Sequence, residues 1–363
     1  IYAFALAVLT GCANMPVPDS HGEAASEVTT SPSDLTSSAP TAPVGAEALA
    51  PKPVYASFDG ATLNKLLVAE FAARRGQLGL AVENYMQVAE QSADAGIARR
   101  ATSLALYAQD RGASLKAAEQ WARMDGESSD ALAMHGALLL RDGKLDEALA
   151  RFNTVITLAG DQPRAAYSRI TDILGRSRDR AKAFGLMERL VADHPKNLDA
   201  RFALAELAGR IRNTERAAKE LRALHIAAPD DERTADYLAR VLQGSEQTDE
   251  ALGILEAYLE RRPSAHGARM TYGRILVGAA RYDDAIGQFD LLTEALPDNS
   301  EVRYAYGIVL LQKADNEAAK AQFQALIDAG RRTNAANYYL GQIAETKGDE
   351  DEARRSYQAV YGG

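Results

Sequence analysis

The side chains in this 363-residue sequence best suited to metal binding or acid–base chemistry are its five histidines, His21, His135, His194, His225 and His266. No two of them are three or four residues apart, so one helix face cannot present a pair of imidazoles to a metal ion. The sequence also lacks the Gly-x-Ser-x-Gly, phosphate-loop and dinucleotide-binding motifs. It therefore predicts no catalytic residue, no metal and no cofactor, and an enzyme would need a catalytic domain beyond Gly363.

Two other features that suggest chemistry have simpler structural explanations. The acidic run Asp349 to Glu352 could bind a metal ion, but it lies just before Ala353, where we predict the start of a helix. Carboxylates are favourable at that positive end of the helix dipole. His135 falls on the predicted core face of a helix and His194 precedes Pro195 at a predicted boundary, so both are expected to be structural.

Cys12 is the only cysteine, and its position indicates covalent modification. It follows the apolar run of residues 1–9 and the small pair Thr10-Gly11; the alternative is a chance buried cysteine. The segment resembles a bacterial lipoprotein signal, with Leu9 to Cys12 as the lipobox, although the basic start of such a signal is missing. The resemblance implies a lipid on Cys12, and Ala13, where aspartate would signal inner-membrane retention, implies the periplasmic face of the outer membrane.

The elements that would carry a binding surface are visible as a repeat of 34 residues from Arg164 to Gly363. Alanine marks each unit, at Ala183, Ala217, Ala251, Ala285, Ala319 and Ala353. Twelve residues earlier stands a small residue, namely Thr171, Ala205, Ala239, Gly273, Gly307 or Gly341. Large apolar residues follow each alanine at helical spacing, and four units end with Pro195, Pro229, Pro263 or Pro297. Such a period predicts stacked helical hairpins.

We interpret each unit as two amphipathic helices, A and B, that approach closely at the small residue. At Gly273 and Gly307 we expect leucine to force the helices apart and alanine to be tolerated. Proline stops helix B because it lacks an amide hydrogen and restricts the preceding residue. The run from Tyr272-Gly273 through Ala285 and Phe289 to Pro297 resembles the tetratricopeptide (TPR) repeat. The fold class expected is all-α, a TPR-like α-solenoid of antiparallel helix pairs with about nine units.

Three less regular units precede the regular ones, with Ala81, Ala117 and Ala148 as their marker alanines. Residues 61–130 are similar to the opening of a proteobacterial group of outer-membrane TPR lipoproteins. That group includes the lipoprotein adaptor of a periplasmic carboxyl-terminal-processing protease. This resemblance implies that such a protease could be the partner.

The binding residues are predicted from the TPR resemblance, in which the fifth, ninth and thirteenth positions of each unit line the concave face. Transferred to this sequence, the rule selects four apolar or aromatic residues, Phe202, Met270, Tyr304 and Tyr338. It also selects four arginines, Arg176, Arg210, Arg240 and Arg274, with Asp172 and Glu206 between them. Aromatic residues and arginine are enriched at binding hot spots; the alternative is an ordinary solvated face. The arginines predict a basic stripe suited to an acidic ligand segment.

The charge and local composition of the chain indicate which ligands it avoids and where its segments begin and end. Asp and Glu number 50 against 41 Lys and Arg, a net charge of −9 that argues against nucleic-acid binding. We predict a signal at 1–12, a Pro/Ser/Thr/Ala-rich disordered tether at 13–60 and the solenoid at 61–363. Because the chain starts without methionine and ends inside a repeat, we expect both ends to belong to a longer precursor.

The function predicted from the sequence is a noncatalytic, membrane-anchored scaffold. It would bind a periplasmic protein, a protease or an envelope-assembly enzyme, through the solenoid surface. The alternative is an assembly or export subunit that binds polysaccharide or peptidoglycan.

Overall fold

The computed structural model describes residues 59–361. Cys12, the signal at 1–12 and nearly all of the tether at 13–60 lie outside the described residues. Their roles therefore stay predictions. The first helix begins at Gly60, one residue before the expected start of the solenoid.

The described residues form eighteen α-helices and no strand, so the predicted all-α fold with about nine helix pairs is confirmed. The A helices are α1 Gly60–Arg74, α3 Ala95–Tyr107, α5 Ser129–Arg141, α7 Arg164–Gly175, α9 Leu198–Arg210, α11 Glu232–Gln243, α13 His266–Gly278, α15 Ser300–Gln312 and α17 Thr333–Lys347. The B helices are α2 Leu78–Ser92, α4 Arg111–Met124, α6 Leu145–Leu158, α8 Arg180–Asp193, α10 Thr214–Ala227, α12 Thr248–Arg261, α14 Tyr282–Ala295, α16 Asn316–Asp328 and α18 Glu350–Tyr361. Each A helix packs against the B helix that follows it. Among the helices of residues 59–361, each is too short or too polar to cross a bilayer.

Helix ends in the solenoid are set by side chains that satisfy free backbone groups. Many helices start after an Asp or Asn whose side-chain oxygen accepts from backbone N–H groups of the first turn, as Asn299 does from Glu301 and Val302. The acidic run 349–352 is confirmed as such a start, since Asp349 accepts from the Glu352 backbone. Helices α8, α10, α12 and α14 each end two residues before a proline, as predicted.

The marker alanines lie in the interior of the helix stack. All nine are buried, eight of them without exposed surface and Ala353 almost completely. Most of the large residues four positions later are buried as well; Phe152, Met187, Leu221, Phe289 and Phe323 have no exposed surface, whereas Tyr357 in the last helix is partly exposed. Apolar surface from consecutive hairpins therefore forms one layer between the A and B helices, which stabilises units that could not fold alone.

Where helix A carries glycine at the crossing, an aromatic ring of helix B lies directly over it. A Cβ placed on Gly273 would lie 3.0 Å from Phe289 Cε2, whereas one on Gly307 would lie 2.7 Å from Phe323 Cζ. A gap of 3.0 Å can be opened by a small ring shift, but 2.7 Å is closer than real Cβ contacts. The expectation that alanine is tolerated thus needs correction at Gly307, because the ring already fills the space of a methyl group.

The buried side chains separate into two clusters that meet at α9. Ala203, Leu204 and Leu207 belong to the amino-terminal cluster, while Phe202 and Ala205 belong to the carboxyl-terminal one. Helix α9 therefore holds both halves of the core in register, and it also forms the centre of the groove described next.

Candidate binding groove

A groove of about 400 Å³ runs across three consecutive A helices, α7, α9 and α11. We call it the A-helix groove. Its lining residues are Arg164, Tyr167, Ser168, Asp199, Phe202, Ala203, Glu206, Arg210, Arg233, Tyr237 and Arg240. Of the eight predicted binding residues, it brings together Phe202, Arg210 and Arg240.

Aromatic rings and guanidinium groups stack at the centre of the groove. Phe202 is only 8% exposed, and the Arg233 guanidinium carbon lies 3.8 Å from its ring centroid. The Tyr237 ring lies 5.8 Å from the Phe202 ring, and the Arg240 guanidinium lies 5.3 Å from the Tyr237 ring. Each cation–π contact contributes about 0.5–2 kcal/mol. The central side chains are thereby ordered before any ligand arrives, which lowers the entropy cost of binding.

Carboxylates from neighbouring repeats hold two of the groove's arginines. Arg233 Nη2 lies 2.8 Å from Asp199 Oδ1, and Arg210 lies 2.7 Å from Asp172 and 2.9 Å from Glu206. Burial lowers the pKa of Arg210, but hydrogen bonds to Glu206 and Asp172 outweigh this and leave its pKa above the ordinary value. Arg210 is thus fixed as a cation.

Two exposed arginines at the groove are available to a ligand, and one hydroxyl of the lining is buried and unpaired. Arg164 is exposed and has no ion-pair partner among residues 59–361, and the side chain of Arg240 is 57% exposed although it contacts Asp236 at 3.0 Å. Burial raises the pKa of Tyr167 to about 12, so its hydroxyl is a neutral donor at pH 7. That hydroxyl has no hydrogen-bond partner in the described part of the chain.

Tyr237 reaches the groove because α9 carries glycine at position 209. A Cβ at Gly209 would collide with the Tyr237 hydroxyl oxygen, so any larger residue would displace the ring. Burial raises the pKa of Tyr237, and the negative charge of Glu206 adds to the rise. The sequence prediction missed Tyr237, which lies one position after the fifth position of its unit, and Arg233, which lies three positions before that fifth position. Asp199 and Arg233 occupy the same position of consecutive repeats, 34 residues apart, and these opposite charges at one repeat position were the available signal.

The remaining predicted residues lie elsewhere on the A helices. Arg176 is exposed beyond the end of α7, Met270 packs against the core, and Arg274 contacts Glu301 at 3.0 Å. Tyr304 and Tyr338 belong to a separate carboxyl-terminal aromatic cluster, formed by Tyr304, Phe323, Tyr338, Tyr339 and Tyr357. The predicted basic stripe is therefore discontinuous, because carboxylates pair with Arg210, Arg240 and Arg274, from an adjacent repeat in the case of Asp172 and Glu301 and from the same helix in the case of Asp236.

No group of three or more His, Cys, Asp or Glu residues is placed to hold a metal ion within residues 59–361. His135 is buried as predicted, at 4% exposure. His194 packs edge-on against Tyr167 with ring centroids 6.4 Å apart, and its ring lies 3.3 Å from Asn153 Oδ1. These two contacts place His194 in the packing between repeats.

A solenoid of helical hairpins with a groove along its A helices is typical of helical-repeat proteins that bind a partner on their surface. Residues 172–232 and 304–363 match one tetratricopeptide repeat family model, and residues 242–307 match a second one. The chain is a tetratricopeptide-repeat protein, and proteins of this kind generally act as protein-interaction scaffolds.

The chain is similar to the "TPR repeat-containing protein PA4667" of Pseudomonas aeruginosa, with 27% identity over 223 residues. The match covers 60% of this chain and 37% of that protein, so the chain spans little more than a third of its relative. A crystallised tetratricopeptide repeat protein from Parabacteroides merdae matches at 16% identity and a TM-score of 0.43, over 64% of this chain and 92% of that one. Yeast Tom70 matches at 14% identity and a TM-score of 0.39, over 83% and 76% of the two chains.

Proposed function

We propose that this chain is a noncatalytic scaffold, anchored to the outer membrane by a lipid on Cys12, that holds a periplasmic protein partner in the A-helix groove. The observation that carries this proposal is the ordered cluster of Phe202, Tyr237, Arg233 and Arg240 across α9 and α11. Tyrosine and arginine, held in place and partly exposed, are the residue types that dominate binding hot spots.

The charge of the groove favours an acidic partner segment. Four arginines and two carboxylates line it, so the lining carries a formal excess of two positive charges. Arg164 and Arg240 can pair with carboxylates of the partner, since arginine binds them in a bidentate manner. An extended segment with Asp or Glu side chains, or a chain terminus, matches this arrangement.

The partner class follows from the sequence resemblance. A lipobox at Cys12 and an opening at 61–130 similar to outer-membrane TPR lipoproteins favour a partner in the periplasm. A protease of the carboxyl-terminal-processing type or an envelope-assembly enzyme fits this expectation. In this proposal catalysis belongs to the partner, and the solenoid supplies binding and position.

Capture from a periplasmic extract tests the proposal. Residues 59–363 on a resin should retain one protein in stoichiometric amount, and Arg164→Glu with Arg240→Glu should lose it. The matched control is Arg176→Glu with Arg274→Glu, which changes the same charge outside the groove. Retention of a protein by all three forms would place the site elsewhere, and absence of any stoichiometric protein would contradict the scaffold.

One observation favours the alternative of polysaccharide or peptidoglycan binding. Tyr338 is 46% exposed, and the Gln342 amide donates to its hydroxyl at 3.1 Å, so a flat ring and a polar group face solvent together. The same resin incubated with peptidoglycan fragments distinguishes the two functions. Glycan retention that Tyr338→Ala abolishes, without a captured protein, would support the alternative.

A further inference from the structure

A second groove lies on the B-helix side of the solenoid, between α2 and α4. We call it the B-helix groove. It encloses about 930 Å³, and Leu78, Val82, Met86 and Ala113 contribute its apolar lining. The space above Gly79 at the groove is open, since a Cβ built there meets no atom within 4 Å. None of these residues takes part in the A-helix groove.

A buried amide in this groove lacks part of its hydrogen bonding. Gln120 is 6% exposed and lines the groove, and its Nε2 donates to the Met86 carbonyl at 3.2 Å, which ties α4 to α2. Its Oε1 is buried and has no hydrogen-bond partner among residues 59–361. Buried polar groups in native proteins are nearly always satisfied, so the unpaired oxygen indicates a missing donor.

The rim of the B-helix groove is acidic. Glu83, Glu90 and Asp110 stand around it, against a single cation, Lys116. Neither Glu83 nor Glu90 has an ion-pair partner in the described part of the chain. Charges of one sign around an apolar floor select a ligand of opposite charge and steer its approach.

We propose that the B-helix groove docks an amphipathic helix of a protein partner, with lysine or arginine on its polar face and large apolar residues on the other. Two parallel ridges of side chains on α2 and α4 form the cradle into which a third helix packs. Apolar residues at positions i, i+3 or i+4 and i+7 of the ligand helix enter the groove, and its cations meet Glu83 and Glu90. The chain then has two docking surfaces of opposite charge preference, one on the A helices and one on the B helices.

A synthetic helical peptide of leucine and lysine, with leucine at helical spacing, tests this proposal by calorimetry against the full chain. A peptide with glutamate in place of every lysine is the charge control. Gly79→Trp places a large ring at the groove from a position where a Cβ meets no atom within 4 Å, and Gly253→Trp on α12 is the matched control, since a Cβ there also meets nothing within 4 Å. We expect 1:1 binding of the lysine peptide, at least about tenfold weaker binding by Gly79→Trp, and no change for Gly253→Trp. Glu83→Lys with Glu90→Lys should weaken binding as well.

Three results would overturn the proposal: no binding of the lysine peptide, equal binding of the glutamate peptide, or equal affinities of the two tryptophan variants. Circular dichroism verifies that each variant is folded. Sedimentation of the full chain supplies a separate criterion. A dimer that Gly79→Trp converts to monomer would assign the groove to a second copy of the chain and reject the partner helix.

Discussion

At the scale of the residue, the fit between a glycine of helix A and a ring of helix B is specific to each repeat. Gly273 and Gly307 occupy the same position of their repeats, yet the ring above Gly307 is closer. In two other repeats the same position holds Ala205 or Ala239, and leucine replaces the aromatic residue on helix B. In these four repeats glycine on helix A is thus combined with an aromatic ring on helix B, and alanine with leucine.

Gly307→Ala should destabilise the solenoid by about 1–3 kcal/mol, because the new methyl group overlaps Phe323. Gly273→Ala should be close to neutral, since a small shift of Phe289 is offset by the gain of up to about 1 kcal/mol in helix propensity. Leucine should be destabilising at both sites. Thermal unfolding followed by circular dichroism measures these differences.

The pair Gly307→Ala with Phe323→Leu reproduces the natural Ala–Leu combination and should recover part of the loss. A double-mutant cycle separates this coupling from the single effects. Additive effects of the two substitutions would show that the ring does not determine the cost at Gly307.

His135 makes the stability of the solenoid depend on pH. Burial lowers its pKa below 6.5, and the positive charge of Arg151 adds to the decrease. The unfolded chain therefore binds a proton at His135 more readily than the folded chain does. As a result, the free energy of unfolding decreases as the pH falls below 6.5. Burial also lowers the pKa of His225, which acts in the same direction.

We expect the free energy of unfolding to be constant above about pH 7 and to fall between pH 6.5 and 5.5. His135→Gln should flatten this profile, and His135→Gln with His225→Gln should flatten it further. Urea unfolding at pH 7.5, 6.5 and 5.5 is the measurement. A single variant as sensitive to pH as the wild type would show that His135 is not responsible.

Burial of single residues could be predicted from the sequence because it follows the repeat phase, as Ala183 and His135 illustrate. The contacts that the charged residues make in the groove could not be predicted from the sequence. Arg210 is selected by its position, but its pairing with Asp172 depends on the rotation of α9 against α7. Arg233 stacks on Phe202 for the same reason, since only the packed helices bring the two side chains together.

At the scale of the element, several turns between helices A and B contain residues in the left-handed backbone region. Arg212, Glu246, Ala280 and Ala314 have φ between 57° and 66°, and Gly348 occupies the equivalent position with φ 77°. The period of 34 predicted each helix pair, but it gives no information on backbone handedness in the turn. Glycine at three copies of the position, Gly76, Gly143 and Gly348, was the sequence signal.

Ala280→Gly and Ala314→Gly should each stabilise the solenoid by about 0.5–1 kcal/mol. The left-handed conformation costs a non-glycine residue about 1–2 kcal/mol, of which the greater freedom of glycine in the unfolded chain removes part. Gly348→Ala is the reverse control and should destabilise. Lower melting temperatures for both glycine variants would contradict the backbone assignment of these turns.

At the scale of the whole molecule, the proposed function requires a lipid anchor at Cys12 in addition to the solenoid and its groove. Cys12→Ser should leave the protein unlipidated and release it from the outer membrane, since Cys12 is the only cysteine available for acylation. Metabolic labelling with a fatty-acid analogue and membrane fractionation measure both effects. Label incorporated by the Cys12→Ser protein would reject the anchor.

The central claim is that the partner binds in the A-helix groove, and the most direct test is its affinity for two double variants. Arg164 and Arg240 are the pair to change, because both line the groove, whereas Arg176 and Arg274 do not. Calorimetry with the captured partner should show that Arg164→Glu with Arg240→Glu weakens binding at least about tenfold. The control, Arg176→Glu with Arg274→Glu, should retain the wild-type affinity, and both proteins should keep their helical content. Equal affinities of the two folded double variants would contradict the claim.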